Sequence, residues 1–371
     1  MRKHDPQDVP LLRAPVSRRR FLYLAGIAGG AAALTPPGTG RSATGGTSAA
    51  YRGKRLVVYS YGGVWDEAVK AGAVNPMKAR YEGLEIVIDP AGGFTKLLAE
   101  KDHPQADVSF IDDSAMPQAI ALGMLLPLDL GKIPSAKDVY PQGKLFDSFG
   151  LAMEFGRLGI AYRKDNVKSP PTSWADLWRP EYKGKVAIGA PSPGGTAWVQ
   201  FLVAAARLAG GSEDNLDPGF TKLKELKPNL LTVTETTGQV TQLLTSGDLW
   251  ITHFWDGRTI SMKRTGVPIE FADPKEGSYA TITYAAVLKA SKLPELGHEF
   301  VERMLSLDGQ VAFGKHIGYG PTNAKVKIPD EYIREGVLFG KDQVERMRIL
   351  DWKKMAPKRA EWLEKWNDAV R

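Results

Sequence analysis

The sequence predicts an α/β protein of two lobes, each a mostly parallel sheet flanked by helices. Three observations lead to this. Short apolar runs alternate with helical patterns in a β-α-β-α-β rhythm. The rhythm breaks off near residue 123 and resumes near residue 159. The roughly 320 residues beyond the leader exceed what one hydrophobic core usually serves.

The elements follow in order. Residues 56–60 (Leu-Val-Val-Tyr-Ser) read as a buried strand, and 64–81 as a helix after the Gly62-Gly63 turn. Strands at 84–88 and 107–111 alternate with helices at 95–101 and 114–122. In the second half, 159–162, 185–188, 249–254 and 281–288 read as strands, and 196–208, 240–244 and 295–307 as helices. The end of the chain, 345–371, has helical character, with Trp352, Trp362 and Trp366 set to pack onto a lobe. No internal repeat and no heptad pattern is present.

The first 50 residues read as an export leader. Ser17-Arg18-Arg19-Arg20-Phe21-Leu22 precedes a Gly/Ala-rich apolar run over 22–34, the pattern of a twin-arginine signal. That run is shorter than the ~20 residues that a bilayer span needs. The leader holds seven basic and two acidic residues. Removing them from the chain's 49 basic and 42 acidic residues leaves 42 and 40, a net charge of +2. The basicity therefore belongs to the leader and argues for no nucleic-acid partner. The chain has no cysteine, which excludes disulfides, thiolate chemistry and an acylated membrane tether. The expected location is the periplasm.

In open parallel sheets, ligands sit beyond the carboxyl ends of strands. The residues there are Tyr61-Gly62-Gly63-Val64-Trp65, Asp112-Asp113-Ser114, Ala190 through Thr196, and Trp255-Asp256-Gly257-Arg258. Aromatic walls with a few polar groups suit a small-molecule cleft. The five histidines are scattered, and no nucleotide-binding loop is present. No catalytic residue, metal or cofactor is called for.

Taken together, Tyr61 through Trp65, the Ala106–Phe110 run, Gly123-Met124-Leu125-Leu126-Pro127-Leu128, Ser173-Trp174-Ala175-Asp176-Leu177 and Gly318-Tyr319-Gly320-Pro321 resemble the solute-binding proteins of ABC transporters. The spermidine/putrescine-binding branch is the nearest. The resemblance implies the type II periplasmic-binding fold, with closure around a ligand, and a membrane ABC permease as partner to a monomer that is not an enzyme. It implies a first lobe of 51–150 plus 257–308, a second of 151–256 plus 309–345, and a helical tail at 346–371. Hinges are expected near 150–157 and 254–258.

Carried over residue by residue, the resemblance implies ligand contacts from Tyr61, Trp65, Trp255 and Tyr319. The acids that hold amines in polyamine binders are replaced by Ser192 through Thr196, by Arg258 and by Tyr284. A buried ammonium without a carboxylate partner costs several kcal/mol. A Gly194-Gly195-Thr196 helix start instead favours an anion, as does Arg258. Gly62, Asp112, Asp113 and Asp256 complete the candidate set, with the aspartates as cation partners. The expected ligand is a small polar solute with anionic and cationic ends, such as an amino-acid derivative or an opine. A polyamine or thiamine is the alternative; an exported hydrolase or a ferric-ion binder would be another class. Structural readings stand beside each site: Trp65 as core, Asp112 and Asp113 as helix caps, Arg258 in a salt bridge with Asp256.

Overall fold

The strand that organises the molecule is its longest, a run of 13 residues buried almost throughout. The structure, a computed structural model, describes residues 48–192 and 194–370. The stretch read above as a twin-arginine leader lies outside the described residues. The first lobe comprises β1 (Arg55–Tyr59), α1 (Val64–Val69), α2 (Asn75–Arg80), β2 (Glu85–Asp89), α3 (Phe94–Ala99), β3 (Val108–Asp112) and α4 (Met116–Ala121). The chain then enters the long strand, β4 (Leu151–Arg163). Beyond it come β5 (Val186–Gly189), α5 (Ala197–Leu208), α6 (Asp217–Leu226), β6 (Leu230–Thr234), α7 (Thr237–Ser246), β7 (Ile251–Trp255), α8 (Asp256–Arg264) and β8 (Ile269–Ala272). The chain returns along β9 (Tyr279–Val287) to α9 (Pro294–Leu305) and α10 (Leu307–His316). Helices α11 (Asp330–Glu335), α12 (Lys341–Glu345), α13 (Trp352–Met355) and α14 (Arg359–Val370) end it.

The described strands share one sheet in the order β2-β1-β3-β9-β4-β7-β5-β6, with β8 on β4. The βαβ segments pair in parallel: β1 with β2 and β3, and β5 with β6 and β7. The two central strands are antiparallel to their neighbours, so each lobe has a parallel outer part and an antiparallel inner edge. The expectation of α/β lobes holds, and the antiparallel centre is what the rhythm alone does not reveal. The first half of β4 bonds to β9 and the second half to β7 and β8. Both lobes therefore share one continuous pair of strands.

Two boundaries differ from expectation. The return crossing is β9 rather than residues 254–258, because α8 stays against β4 and β8. Residues 309–324 sit on the first lobe rather than the second. Helix α10 packs on α1, and Thr322 Oγ1 donates to the Ala152 carbonyl at 2.7 Å.

Each lobe has its own core. Leu56, Trp65, Phe110, Phe300 and Phe313 fill the first. Trp174, Trp198, Phe201 and Leu202 fill the second. Helix α5 is apolar on nearly every side because sheet, α6 and tail all cover it. The tail packs there as its tryptophans predict: Trp366 is fully buried and meets Trp198 edge-on, centroids 5.8 Å apart. Among the described residues no helix is long and apolar enough to cross a membrane.

Replacing Trp366→Ala should destabilise the protein by about 3–5 kcal/mol. Urea denaturation of the purified variant measures this, and a loss under about 1 kcal/mol would show that the tail is not part of the second core.

Candidate functional site

The carboxyl ends of β3, β5 and β7 converge on a seam between the lobes. At the end of β3, Asp112 accepts hydrogen bonds at Oδ1 from the Tyr61 and Thr283 hydroxyls, both at 2.9 Å. Its Oδ2 accepts from Thr196 Oγ1 at 3.5 Å. Tyr61 and Thr283 stand on the β1 and β9 side, and Thr196 opens α5 in the second lobe, so hydroxyls from both lobes meet at this carboxylate.

The lobes also touch directly. Ser114 Oγ lies 3.0 Å from Thr196 Oγ1 and donates to the Gly194 carbonyl at 3.0 Å. Gly194 approaches Phe94 so closely that a Cβ would stand 2.9 Å from the Phe94 Cβ. This is a closed arrangement.

Beneath the seam lies a cavity of about 220 Å³. Asp112 lines it from the first lobe; Gly189, Ser192, Gly195, Thr196, Thr234 to Thr237, His253 and Trp255 line it from the second. At about 30 Å³ per water, the volume suits a solute displacing on the order of seven waters. The first turns of α5 and α7 both border it. Their N–H groups give it a positive rim. In α7 the cap is a Thr236–Gln239 capping box, which satisfies Gln239 N–H and leaves the N–H groups of Thr237 and Gly238 without intrahelical acceptors. A larger cavity of about 620 Å³ lies outside, between α4, Ser192 and the tail; its walls are mainly apolar and include neither Asp112 nor Asp113.

The electrostatics are set by burial. Burial raises the Asp112 pKa above the usual carboxylate value, against the pull of its three hydroxyl donors. Asp113 is pushed up further, by burial and by the neighbouring Asp112 charge. A third acid, Glu154, joins them. It is 1 % exposed, accepts from the Thr283 N–H at 3.1 Å, and its Oε2 has no partner. Burial raises its pKa strongly. The register of β4 against β9 shifts between Ala152 and Glu154, a bulge of the kind that re-aims a side chain beside a site.

His253, on β7, accepts the Gly189 N–H at Nε2, 3.1 Å away, and stacks on Phe201 at 4.6 Å. Burial drives its pKa down to about 3, so the ring is neutral with its proton on Nδ1.

The structure brings together Tyr61, Asp112, Ser192, Gly194, Gly195, Thr196 and Trp255. Trp255 is half-buried, lines the cavity and has an unpartnered Nε1. Gly62 turns the chain at φ 76° and donates its N–H to Asp66, which places Tyr61. The other predicted residues stand elsewhere. Trp65 is 2 % exposed and lies within the first core, edge-on to Phe110 and Phe313. Tyr284 is fully buried against Phe146. Asp113 lies behind Asp112, fully buried. Asp256 is taken up by Arg157, which donates from its backbone N at 3.0 Å and from Nε at 2.9 Å. Tyr319 fills a slot between Gly156 and Gly257, where a Cβ would come within 2.6 Å and 2.4 Å of its ring. Arg258 has no ion pair among the described residues, and its charge acts on Tyr319.

Sequence reasoning misses Glu154, Thr283 and the capped start of α7. The signal for Glu154 is a lone acid in an otherwise apolar strand, Leu151-Ala-Met-Glu-Phe, since acids are rarely buried without a purpose. Among the described residues no group of three or more His, Asp or Glu is placed to hold a metal ion.

The neutral state of His253 has a pH consequence. Its folded pKa lies below the unfolded value near 6.5, so its contribution to stability is complete above pH 6.5 and is lost as pH falls toward 3. The stability difference between the wild type and His253→Gln, followed by urea denaturation, should shrink over that window. A difference constant from about pH 7 to about pH 4 would show that the imidazole is not desolvated.

The chain matches the model of the bacterial extracellular solute-binding protein family over residues 72–339. It is 25% identical over 299 residues to spermidine/putrescine-binding periplasmic protein 1 of Haemophilus influenzae, covering 76% of this chain and 80% of the relative. An ABC transporter structure from Clostridium perfringens is similar at TM-score 0.68 and 25% identity, over 85% of this chain and 100% of that one. The binding protein AgtB from A. tumefaciens R10, solved in complex with agropinic acid, shares the fold at TM-score 0.71 and 17% identity, over 85% of this chain and 98% of that one. With a two-lobed fold closed over an acidic seam and a family model that matches most of its length, the chain belongs to the bacterial extracellular solute-binding proteins.

Proposed function

We propose that this protein captures a small organic solute carrying one ammonium group and a polar or anionic far end, in the periplasm, and hands it to a membrane ABC permease. The observation that carries the reading is Asp112. It is a half-buried carboxylate that borders the cavity and is reached by hydroxyls of both lobes. An ammonium there would be desolvated and paired at once. The first turns of α5 and α7 lie across the same cavity and suit a carboxylate or phosphonate. Contacts from both lobes make the closed state the high-affinity one. Of the residues expected at the site, Tyr61, Asp112, Thr196 and Trp255 serve the ligand in this reading; Trp65, Tyr284 and Asp256 serve the fold. The leader, with its twin arginines, supports export, and a monomer suffices for the role.

A second reading, a diamine, is favoured by one observation: the free Oε2 of Glu154 offers a second carboxyl near Asp112.

Calorimetry with 4-aminobutyrate, putrescine, spermidine, thiamine and opines distinguishes the readings. Asp112→Asn should cost about 2–5 kcal/mol of affinity for the best ligand. Burial raises the Asp112 pKa above the usual carboxylate range, and an ammonium requires Asp112 ionised. Affinity should therefore fall as pH drops from neutral toward the usual carboxylate range, and the fall should flatten in Asp112→Asn. Unchanged affinity in that variant would place the ligand elsewhere.

A further inference from the structure

We propose that Arg359, the first residue of α14 in the C-terminal tail, is a specificity-determining residue. It supplies a counter-charge to the Asp112–Asp113 pair across the seam and so limits the ligand to one cationic group. The inference rests on the ligand reading above and deepens it.

The geometry is specific. Arg359 Nη2 donates to the carbonyls of Ser192 at 3.1 Å and Gly195 at 2.6 Å. These carbonyls flank the turn that leads into Thr196, whose hydroxyl meets both Ser114 and Asp112. The guanidinium lies over the Trp198 ring, 5.3 Å from its centroid, which holds it in place. Its Nη1 is buried and has no partner. The tail approaches the seam at a second point, because the Trp352 indole lies beside Asp113. Helix α14 itself is anchored in the second lobe through Trp362 and Trp366. The second lobe thus presents a fixed positive charge to two acids of the first.

The charge acts where it is needed. Two adjacent carboxylates, one fully and one half-buried, repel each other, and both sense the Arg359 charge. Burial lowers the Arg359 pKa to about 10, which the two aspartates oppose, so it remains a cation at neutral pH. Asp256, the other acid near the hinge, already has Arg157. With one internal cation in place, the seam needs one fewer from the ligand. Arg359 stands behind Ser192 and Gly195 rather than in the cavity lining, so a second ammonium would meet its charge across that wall, whereas a carboxylate at the far end would not be opposed.

The test compares the wild-type chain with Arg359→Gln and Arg359→Lys. Putrescine and 4-aminobutyrate share a four-carbon chain and differ in an ammonium against a carboxylate. The ratio of putrescine to 4-aminobutyrate affinity should rise about tenfold or more in Arg359→Gln and stay within about threefold of wild type in Arg359→Lys. A second readout needs no ligand. Without the guanidinium the aspartates resist ionisation more. The stability deficit of Arg359→Gln should therefore be smallest at acid pH, where protonation of the aspartates removes the charge that it offsets, and should grow as pH rises. The Arg359→Lys deficit should stay flat. Glu154, Tyr61 and Tyr284, which also face these aspartates, are the same in all three proteins. Equal affinity ratios in all three proteins, or identical pH profiles for the two variants, would overturn the inference and leave Arg359 a structural hydrogen-bond donor. If the wild type binds neither probe, the ligand reading fails, and the pH profiles still decide the role of the charge.

Discussion

The antiparallel pairing of β4 with β9 is the constraint on which the rest of the molecule depends. From Leu151 opposite Ala285 to Leu158 opposite Tyr279, these strands exchange backbone bonds through the whole waist of the protein. They carry the chain between the lobes and join the two halves of the single sheet. The irregularity that lets Glu154 depart from the ladder sits in this pair, as does Thr283, which bonds to both Glu154 and Asp112. The strands that cross between the lobes also carry residues of the candidate site. A change of angle between the lobes must therefore be felt at the acids, and a change of charge at the acids must be felt by the hinge.

The energetic tension in the seam follows from that placement. Asp113 and Glu154 are removed from water where a fold would ordinarily place apolar side chains, Asp112 is half-buried at the cavity, and burial raises all three pKa values. Charge buried without a partner is expensive. Part of the compensation is built in: hydroxyls on Asp112, and the Arg359 guanidinium near both aspartates. The remainder fits a ligand. Asp256 shows the contrast within the same chain, since Arg157 and the start of α8 satisfy it fully, and it holds the fold together there.

Much of the fold is legible in the sequence. The periodicity of apolar runs gives the βαβ units, and the tail tryptophans give its packing. The residues at strand ends give Tyr61, Asp112, Thr196 and Trp255, because in parallel sheets those ends must converge. What local pattern cannot convey is which side of an element faces the seam. Trp65 and Tyr284 stand at suitable positions in the chain, yet the first points into the Phe110–Phe313 core and the second onto Phe146. Glu154 reads as an anomaly within an apolar strand, and only the bulge and the partner strand turn that anomaly into a site.

The sequence by itself determined the architecture of two α/β lobes, the loops that meet between them and the near-balance of charge beyond residue 50. These depend on local propensity and on the period of apolar residues, which neighbours in the chain decide. Tertiary structure alone decided the chemistry of the seam. Asp112 lies 84 residues from Thr196 and 171 from Thr283 along the chain, and Arg359 lies 164 from Gly195. The charge state of a buried acid is set by what surrounds it in space, and those distances along the chain leave no trace in the pattern around any one of them.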